Sequence, residues 1–239
     1  MTATNRISIQ DGRQLLAQCG LFRSLAAEER NALIAHAHMR KCAADETIFL
    51  MGSAGDSMMA VLSGHVRISM PSPDGKEFVL ALLGPGEIFG EIALLDGKER
   101  TADAKATAEC TLAVLERRDV LAFFERHPSA WPGLIEMLCE RLRSTDQQMA
   151  EVALLGLPVR LAKTLLRMAA VEPSAANGRA APLIRLSQRE LGNLVGATRE
   201  SVNKCLRDWQ RKGIVRIAES AITIANQTAL RNLAELERG

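Results

Sequence analysis

The chain has 239 residues, 47% of them apolar and 24% charged, a balance that suggests one large domain or two modest ones and argues against disorder, collagen-like repeats and low complexity. Aromatics make up 3% and Tyr is absent, which argues against extended stacking on single-stranded nucleic acid. The net charge of +2 is unevenly spread: residues 158–239 carry 14 Lys and Arg against 7 Asp and Glu, leaving 16 basic and 21 acidic residues upstream. A basic tail on an acidic body points to a polyanionic partner, although scattered Lys and Arg that only aid solubility give the same balance.

Residues 1–6 lead into polar sequence, and no apolar run approaches the roughly 20 residues of a membrane span, so no membrane contact and a cytoplasmic setting are expected. A short helical start at residues 14–18 precedes a stronger helix, with Ser24 as its cap and Leu33 and Ile34 in its buried stripe. From His38 to Glu116 the pattern changes to short strands, at 46–50, 57–63, 66–70 and 77–83, with turn signals every 8 to 14 residues. Asp-Gly pairs beside these runs mark hairpins, which together describe a compact β-roll, barrel or sandwich. The five cysteines (Cys19, Cys42, Cys110, Cys139, Cys205) are widely spaced without a CxxC pair, so reduced structural thiols are expected rather than a disulfide framework or a zinc ribbon. His65, in a Gly-His turn, reads as a solvated turn residue rather than a ligand.

Helix returns at 117–125, is interrupted at Pro128, and resumes for about twenty residues over 132–153. In that second helix Leu134, Leu138, Leu142, Thr145, Met149 and Val152 recur with a period near 3.5, as in a helix that packs against a symmetry mate. Packing against its own domain would satisfy the same spacing. Gly156 and Pro158 then break the pattern, with Leu154, Leu155 and Gly156 as hinge candidates, before another amphipathic helix at 159–171. A stretch rich in turn residues, 172–178, precedes the last module.

Residues 187–212 imply two short helices. Ser187 and Glu190 form a Ser-x-x-Glu capping box, Leu191, Leu194 and Val195 make the first apolar face, and Gly196 supplies the positive φ of a tight turn. Thr198 caps the second helix, whose Val202, Leu206 and Trp209 face inward. On its other face stand Arg199, Glu200, Asn203, Lys204 and Arg207. Such a face is usually just solvated, but a capping box, a turn glycine and a second cap within a basic module describe a helix-turn-helix. There Arg or Lys donates to guanine and Glu accepts from cytosine. Residues 214–218 and 221–225 read as the hairpin wing of a winged helix.

The densest upstream constellation runs from Gly86 to Ala102. Gly90 allows close backbone approach, free N–H groups near Glu91 suit an anion, and Arg100 can fork onto phosphate oxygens while Thr101 adds a hydroxyl. A carboxylate beside phosphate is repulsive unless it accepts from a neighbouring donor, so Glu91 suggests a sugar hydroxyl, and phosphate with ribose describes a nucleotide. Taken alone, the motif also fits a turn and an ion pair.

With these residues in view the chain resembles the CRP/FNR family of transcription regulators, closest to its cyclic-AMP receptor branch. The resemblance rests on Phe89-Gly-Glu-Ile-Ala-Leu94 through Arg100-Thr-Ala102, the long helix, and Gly196-Ala-Thr-Arg-Glu-Ser-Val202. It implies an α+β fold in three parts: a cyclic-nucleotide-binding, jelly-roll-like β-roll over 1–130, a dimerisation helix and hinge over 131–156, and a winged helix-turn-helix over 157–239. It implies a ligand site of Leu80, Ala81, Gly90, Glu91, Ile92, Ala93, Arg100, Thr101 and Ala102, with Thr145 and Asp146 at the base. Asp146 departs from the serine of the best-known receptor. On DNA it implies Arg199, Glu200 and Lys204 at base edges, with Lys204 in place of the usual arginine, and Ser187, Arg189 and Thr198 at phosphates. The implied protein is no enzyme: a homodimer on a near-palindromic double-stranded operator, working with RNA polymerase, with cAMP or cGMP as effector and no catalytic cofactor. Cyclic di-GMP, or no ligand at all, remains the alternative.

Overall fold

The computed structural model describes residues 16–17, 22, 25–72, 77–171, 183–184, 186–218 and 221–235. The chain divides into two compact units, 1–142 and 143–239. The expected helix at 14–18, the Ser24 cap, Cys19 and the 172–178 stretch fall wholly or largely outside the described residues.

Among the described residues of the first unit, α1 (Ala27–Ala35) precedes eight strands: β1 (His38–Cys42), β2 (Thr47–Phe49), β3 (Ser57–Ser63), β4 (Val66–Pro71), β5 (Glu77–Leu83), β6 (Ile88–Phe89), β7 (Asp103–Ala106) and β8 (Cys110–Glu116). The N-cap of α1 is Ala26, whose backbone N–H donates to Glu29 at 3.1 Å. The strands pair antiparallel in two four-stranded sheets, β1-β8-β3-β6 and β2-β7-β4-β5. Side-chain alternation along β3 shows how the layers are built. Met59 and Val61 turn inward to a core shared by both sheets with Ile48, Val66, Leu83, Phe89 and Leu112. Met58, Ala60 and Leu62 turn outward and are buried as well, because helices cover that face. A strand covered on both sides reads as a continuous apolar run rather than an alternating one.

The covering helices are α1, the short α2 (Glu91–Asp96), α3 (Arg117–Arg126) and the start of α4 (Trp131–Leu154), with a 3-10 turn at Pro128–Ala130 between the last two. Leu33, Leu94, Val120, Phe123, Phe124 and Leu134 form their core. The apolar line on α4 therefore divides. Leu134 is buried and Leu138 packs against this core, within the chain's own β-roll, whereas Leu142 and Met149 stay 61% and 68% exposed.

In the second unit, α5 (Leu157–Val171), β9 (Leu183–Ile184), α6 (Gln188–Val195), α7 (Arg199–Arg211), β10 (Val215–Ala218), β11 (Ala221–Ile224) and α8 (Gln227–Glu235) follow the end of α4. Pro158 does not break α5; it lies in its first turn, where a missing N–H costs nothing. The wing hairpin gains a third strand, giving the order β10-β11-β9. Polar contacts gather beside the hinge candidates, of which Leu155 takes part directly. The Arg160 guanidinium donates to the carbonyls of Val152 (3.2 Å), Leu155 (2.6 Å) and Val195 (3.0 Å). The buried Glu151 carboxylate accepts from Arg167 at 2.9 Å, with Lys163 at 3.6 Å.

Candidate functional site

Gly90 is the N-cap of α2 and has φ of +81°, a conformation that favours glycine. A Cβ there would stand 2.6 Å from Arg100 Nη1, so glycine is required both by the backbone and by the guanidinium that lies on it. Arg100 itself sits between α2 and β7, anchored through its backbone: its N–H donates to the Ser53 carbonyl (2.8 Å), and its carbonyl accepts from Gly52 N–H (2.9 Å). Nη1 donates to the Gly90 carbonyl at 2.8 Å and Nη2 to Ser57 Oγ at 3.1 Å. The Phe49 ring faces the guanidinium, with Cζ 4.3 Å from the ring centroid.

Arg100 is only 5% exposed, and both hydrogen-bond acceptors are neutral. Its Nε has no acceptor among the described residues. Burial pulls its pKa below the ordinary arginine value, with the charges of Asp56 and Glu91 opposing that shift. Glu91, 1% exposed, presents the complementary arrangement. One carboxylate oxygen accepts from Arg141 Nη1, while Oε2 has no donor among the described residues. Arg141 also donates from Nη2 to the Ile88 carbonyl at 2.7 Å. A buried cation with an unfilled donor edge and a buried carboxylate with an unfilled acceptor suit a ligand that carries both an anion and a hydroxyl.

Of the expected ligand residues, the structure brings Gly90, Glu91 and Arg100 together. Ala93 and Ala102 are buried beside them in the chain, and Ala81 packs against the core that contains Phe89. Leu80 is half-buried on β5. Thr101 and Ile92 are exposed, and Thr145 and Asp146 are exposed on the part of α4 that belongs to the second unit. Sequence reasoning missed Arg141, Ser57 and Phe49. Only Arg141 had a signal: a cation set between Leu138 and Leu142 of the apolar line, four residues before Thr145. The cysteines, read as dispersed, include one close pair. Cys42 and Cys110 are register partners of β1 and β8, both buried, and burial pushes the Cys110 thiol up to about 12.

In the second unit the capping box forms: Ser187 N–H donates to Glu190 Oε2 at 2.8 Å and Ser187 Oγ accepts from Glu190 N–H at 3.2 Å. Gly196 closes α6 with φ of +61°. Gly192, which the sequence did not flag, allows the turn to pack, since a Cβ there would meet the Ala197 carbonyl at 2.7 Å. Thr198 Oγ1 accepts from Ser201 N–H at 3.2 Å, starting α7, which buries Val202, Leu206 and Trp209. The opposite face is open. Glu200, Asn203, Lys204, Arg207, Gln210 and Arg211 line a shallow groove along it. Arg199, Glu200, Lys204 and Arg207 make no ion pair among the described residues, and the i, i+4 pair Glu200 and Lys204 stays apart. Asp208, by contrast, is bound to Arg211 (3.2 Å) and Lys212 (2.7 Å). Arg189 is exposed on the first turn of α6.

Two family models match the chain: a cyclic nucleotide-binding domain over residues 39–127 and a Crp-like helix-turn-helix domain over 159–233. A CRP-like cAMP-activated global transcriptional regulator of Mycobacterium tuberculosis is 30% identical over 217 residues, which span 91% of this chain and 97% of the relative. A cyclic AMP receptor protein of Thermus thermophilus is 33% identical, over 90% of this chain and 96% of its own. Among solved structures, a c-di-GMP responsive global regulator of Xanthomonas campestris superimposes with a TM-score of 0.74 at 25% identity, covering 84% of this chain and all of that one.

Proposed function

Because this chain belongs to the CRP/FNR family of transcription regulators, and is a cyclic-nucleotide-binding regulator within it, we propose that it is a homodimer that answers to cAMP. The observation that carries the ligand is Arg100: a buried guanidinium held by two neutral acceptors, with an unfilled Nε. A cyclic phosphodiester supplies the missing charge, and the ribose hydroxyl supplies the donor that Glu91 Oε2 lacks. Thr101 adds a hydroxyl at the phosphate, and Thr145 and Asp146 are assigned the base.

The exposed apolar side chains of Leu142, Met149 and Val152 on α4 support a seam with a second copy. In such a dimer, α7 of each protomer enters the major groove of one half-site, about 34 Å from its mate, with Arg199, Glu200 and Lys204 at base edges and Ser187, Arg189 and Thr198 at phosphates. The nucleotide acts by binding one arrangement of the dimer more tightly than the other, and so shifts their populations. The Mycobacterium and Thermus relatives are named for cAMP, and the adjacent Arg100 and Thr101 suit a mononucleotide better than a cyclic dinucleotide. Contact with RNA polymerase and a cytoplasmic setting belong to the same reading; no described helix is long and apolar enough to cross a membrane.

Calorimetric titration with cAMP, cGMP and cyclic di-GMP tests it, on wild type and Arg100→Leu. Loss of the charge-assisted contacts is expected to weaken cAMP binding by about 1.5–3 kcal/mol. Wild-type-like binding by the variant refutes the pocket, and operator affinity unchanged by saturating cAMP refutes the coupling.

A further inference from the structure

Two hydrogen bonds do not fix a guanidinium. Nη1 on the Gly90 carbonyl and Nη2 on Ser57 Oγ hold the two tips of the Arg100 fork at its edge and leave its faces to be packed by neighbours. A third contact comes from an aromatic ring. Arg100 Cζ lies over the Phe49 ring, 4.3 Å from its centroid, and that ring is itself braced by Phe89, with ring centroids 5.8 Å apart and planes inclined at 35°. We infer that Phe49 is a positioning residue for the phosphodiester: its ring sets the tilt of the Arg100 plane and thereby aims the unfilled Nε edge at the anion.

The choice of an aromatic ring has a chemical reason. A carboxylate or amide oxygen at Phe49 would also steady the cation, but it would use the N–H groups the ligand needs and compete with the phosphate for the charge. The ring face attracts the guanidinium through its quadrupole and takes no donor. A buried cation therefore gains a partner without being neutralised. Leucine in the same space would fill volume but carry no such field.

This inference rests on the cyclic-nucleotide reading above, and its test separates the two. The affinity of purified protein for cAMP is measured for wild type, Phe49→Leu and Phe49→Tyr, each also in an Arg100→Lys background, with thermal melts of the unliganded proteins alongside. Phe49→Leu is expected to weaken binding about tenfold, since a guanidinium no longer pre-positioned by the ring must be ordered by the ligand itself, while Phe49→Tyr stays within about threefold. In the Arg100→Lys background the Leu substitution is expected to matter less, because an ammonium keeps an attraction to the ring but has no plane to tilt. Phe49→Met, equally non-aromatic, replaces Leu should that variant not fold. Unchanged affinity in the non-aromatic variant overturns the inference. So does an equal loss in Phe49→Tyr, or an undiminished effect of Phe49→Leu in the Arg100→Lys background. Wild type that takes up no cyclic nucleotide overturns the underlying reading, and the inference with it.

Discussion

The chain presents charge in two opposite ways. At the cassette, Arg100 and Glu91 are almost wholly buried, fixed by neighbours and short of one partner each. On α7, Arg199, Glu200, Lys204 and Arg207 are exposed and unpaired among the described residues. The difference follows from what each must recognise. A small ligand can be enclosed, so a few desolvated contacts at low local dielectric supply discrimination and little is left to salt. DNA cannot be enclosed, so the reading surface stands in water, and its affinity comes from phosphate contacts with counterion release. A buried site obtains its order from packing. An exposed one obtains it from the helices beneath, which is why Ser187 starts α6 while Gly196 and Thr198 bound the turn that leads into α7.

The sharpest way to break the buried half is Gly90→Ala. The substitution forces a non-glycine residue to φ of +81° and drives a Cβ to 2.6 Å from Arg100 Nη1. Backbone strain of about 1–3 kcal/mol is expected, read as a lower melting temperature. Displacement of the guanidinium is expected to reduce cAMP affinity further than the strain alone. A variant that melts lower but binds as wild type would show that Arg100 does not need its seat on the Gly90 carbonyl.

The exposed half separates into two kinds of residue. Arg199→Ala is expected to cost about 1–3 kcal/mol on the preferred operator, and much less on a site altered at the base pair it reads. Arg189→Gln is expected to weaken every sequence alike and to lower the slope of log affinity against log salt by about 0.9. Fluorescence anisotropy over a salt series distinguishes the two. Uniform loss in Arg199→Ala would move that residue from bases to phosphates.

The same contrast governs what is legible in the sequence. Features made by neighbours in the chain are readable: the Ser187 and Glu190 box, Gly196 in its turn, Gly90 through Thr101, and the strands 57–63 and 77–83, whose bounds match β3 and β5. Features made by the fold are not. Arg141 meets Glu91 from 50 residues away, Ser57 meets Arg100 from 43, and no local pattern links either pair. The apolar line on α4 illustrates the limit from the other side. Its period is plain, but period alone does not say that Leu134 and Leu138 face the β-roll while Leu142 and Met149 face outward. β1 and α8 escape as separate elements for a related reason. β1 alternates weakly, with one buried residue at Cys42, and α8 buries only Leu230.

The smallest expected effect tests whether the division of labour holds within α7 itself. Asp208, unlike the free charges nearer the N-terminus, is bound by Lys212, whose hydrogen bond is the main cause of a carboxyl pKa below the usual value of 3.8. The folded pKa lies below the unfolded one. The contribution of this carboxylate to stability is therefore complete above pH of about 4 and disappears as the pH falls through the folded value. Asp208→Asn is expected to lower the melting temperature slightly at pH 7, and the difference from wild type is expected to vanish in strong acid. Because the pair is exposed the shift is small, and added salt shrinks it. Operator preference at pH 7 should not move, since Asp208 serves the helix rather than the DNA. A change in the preferred base pair would show that the reading surface extends to the last turn of α7, and that pairing with Lys212 does not withdraw a carboxylate from recognition.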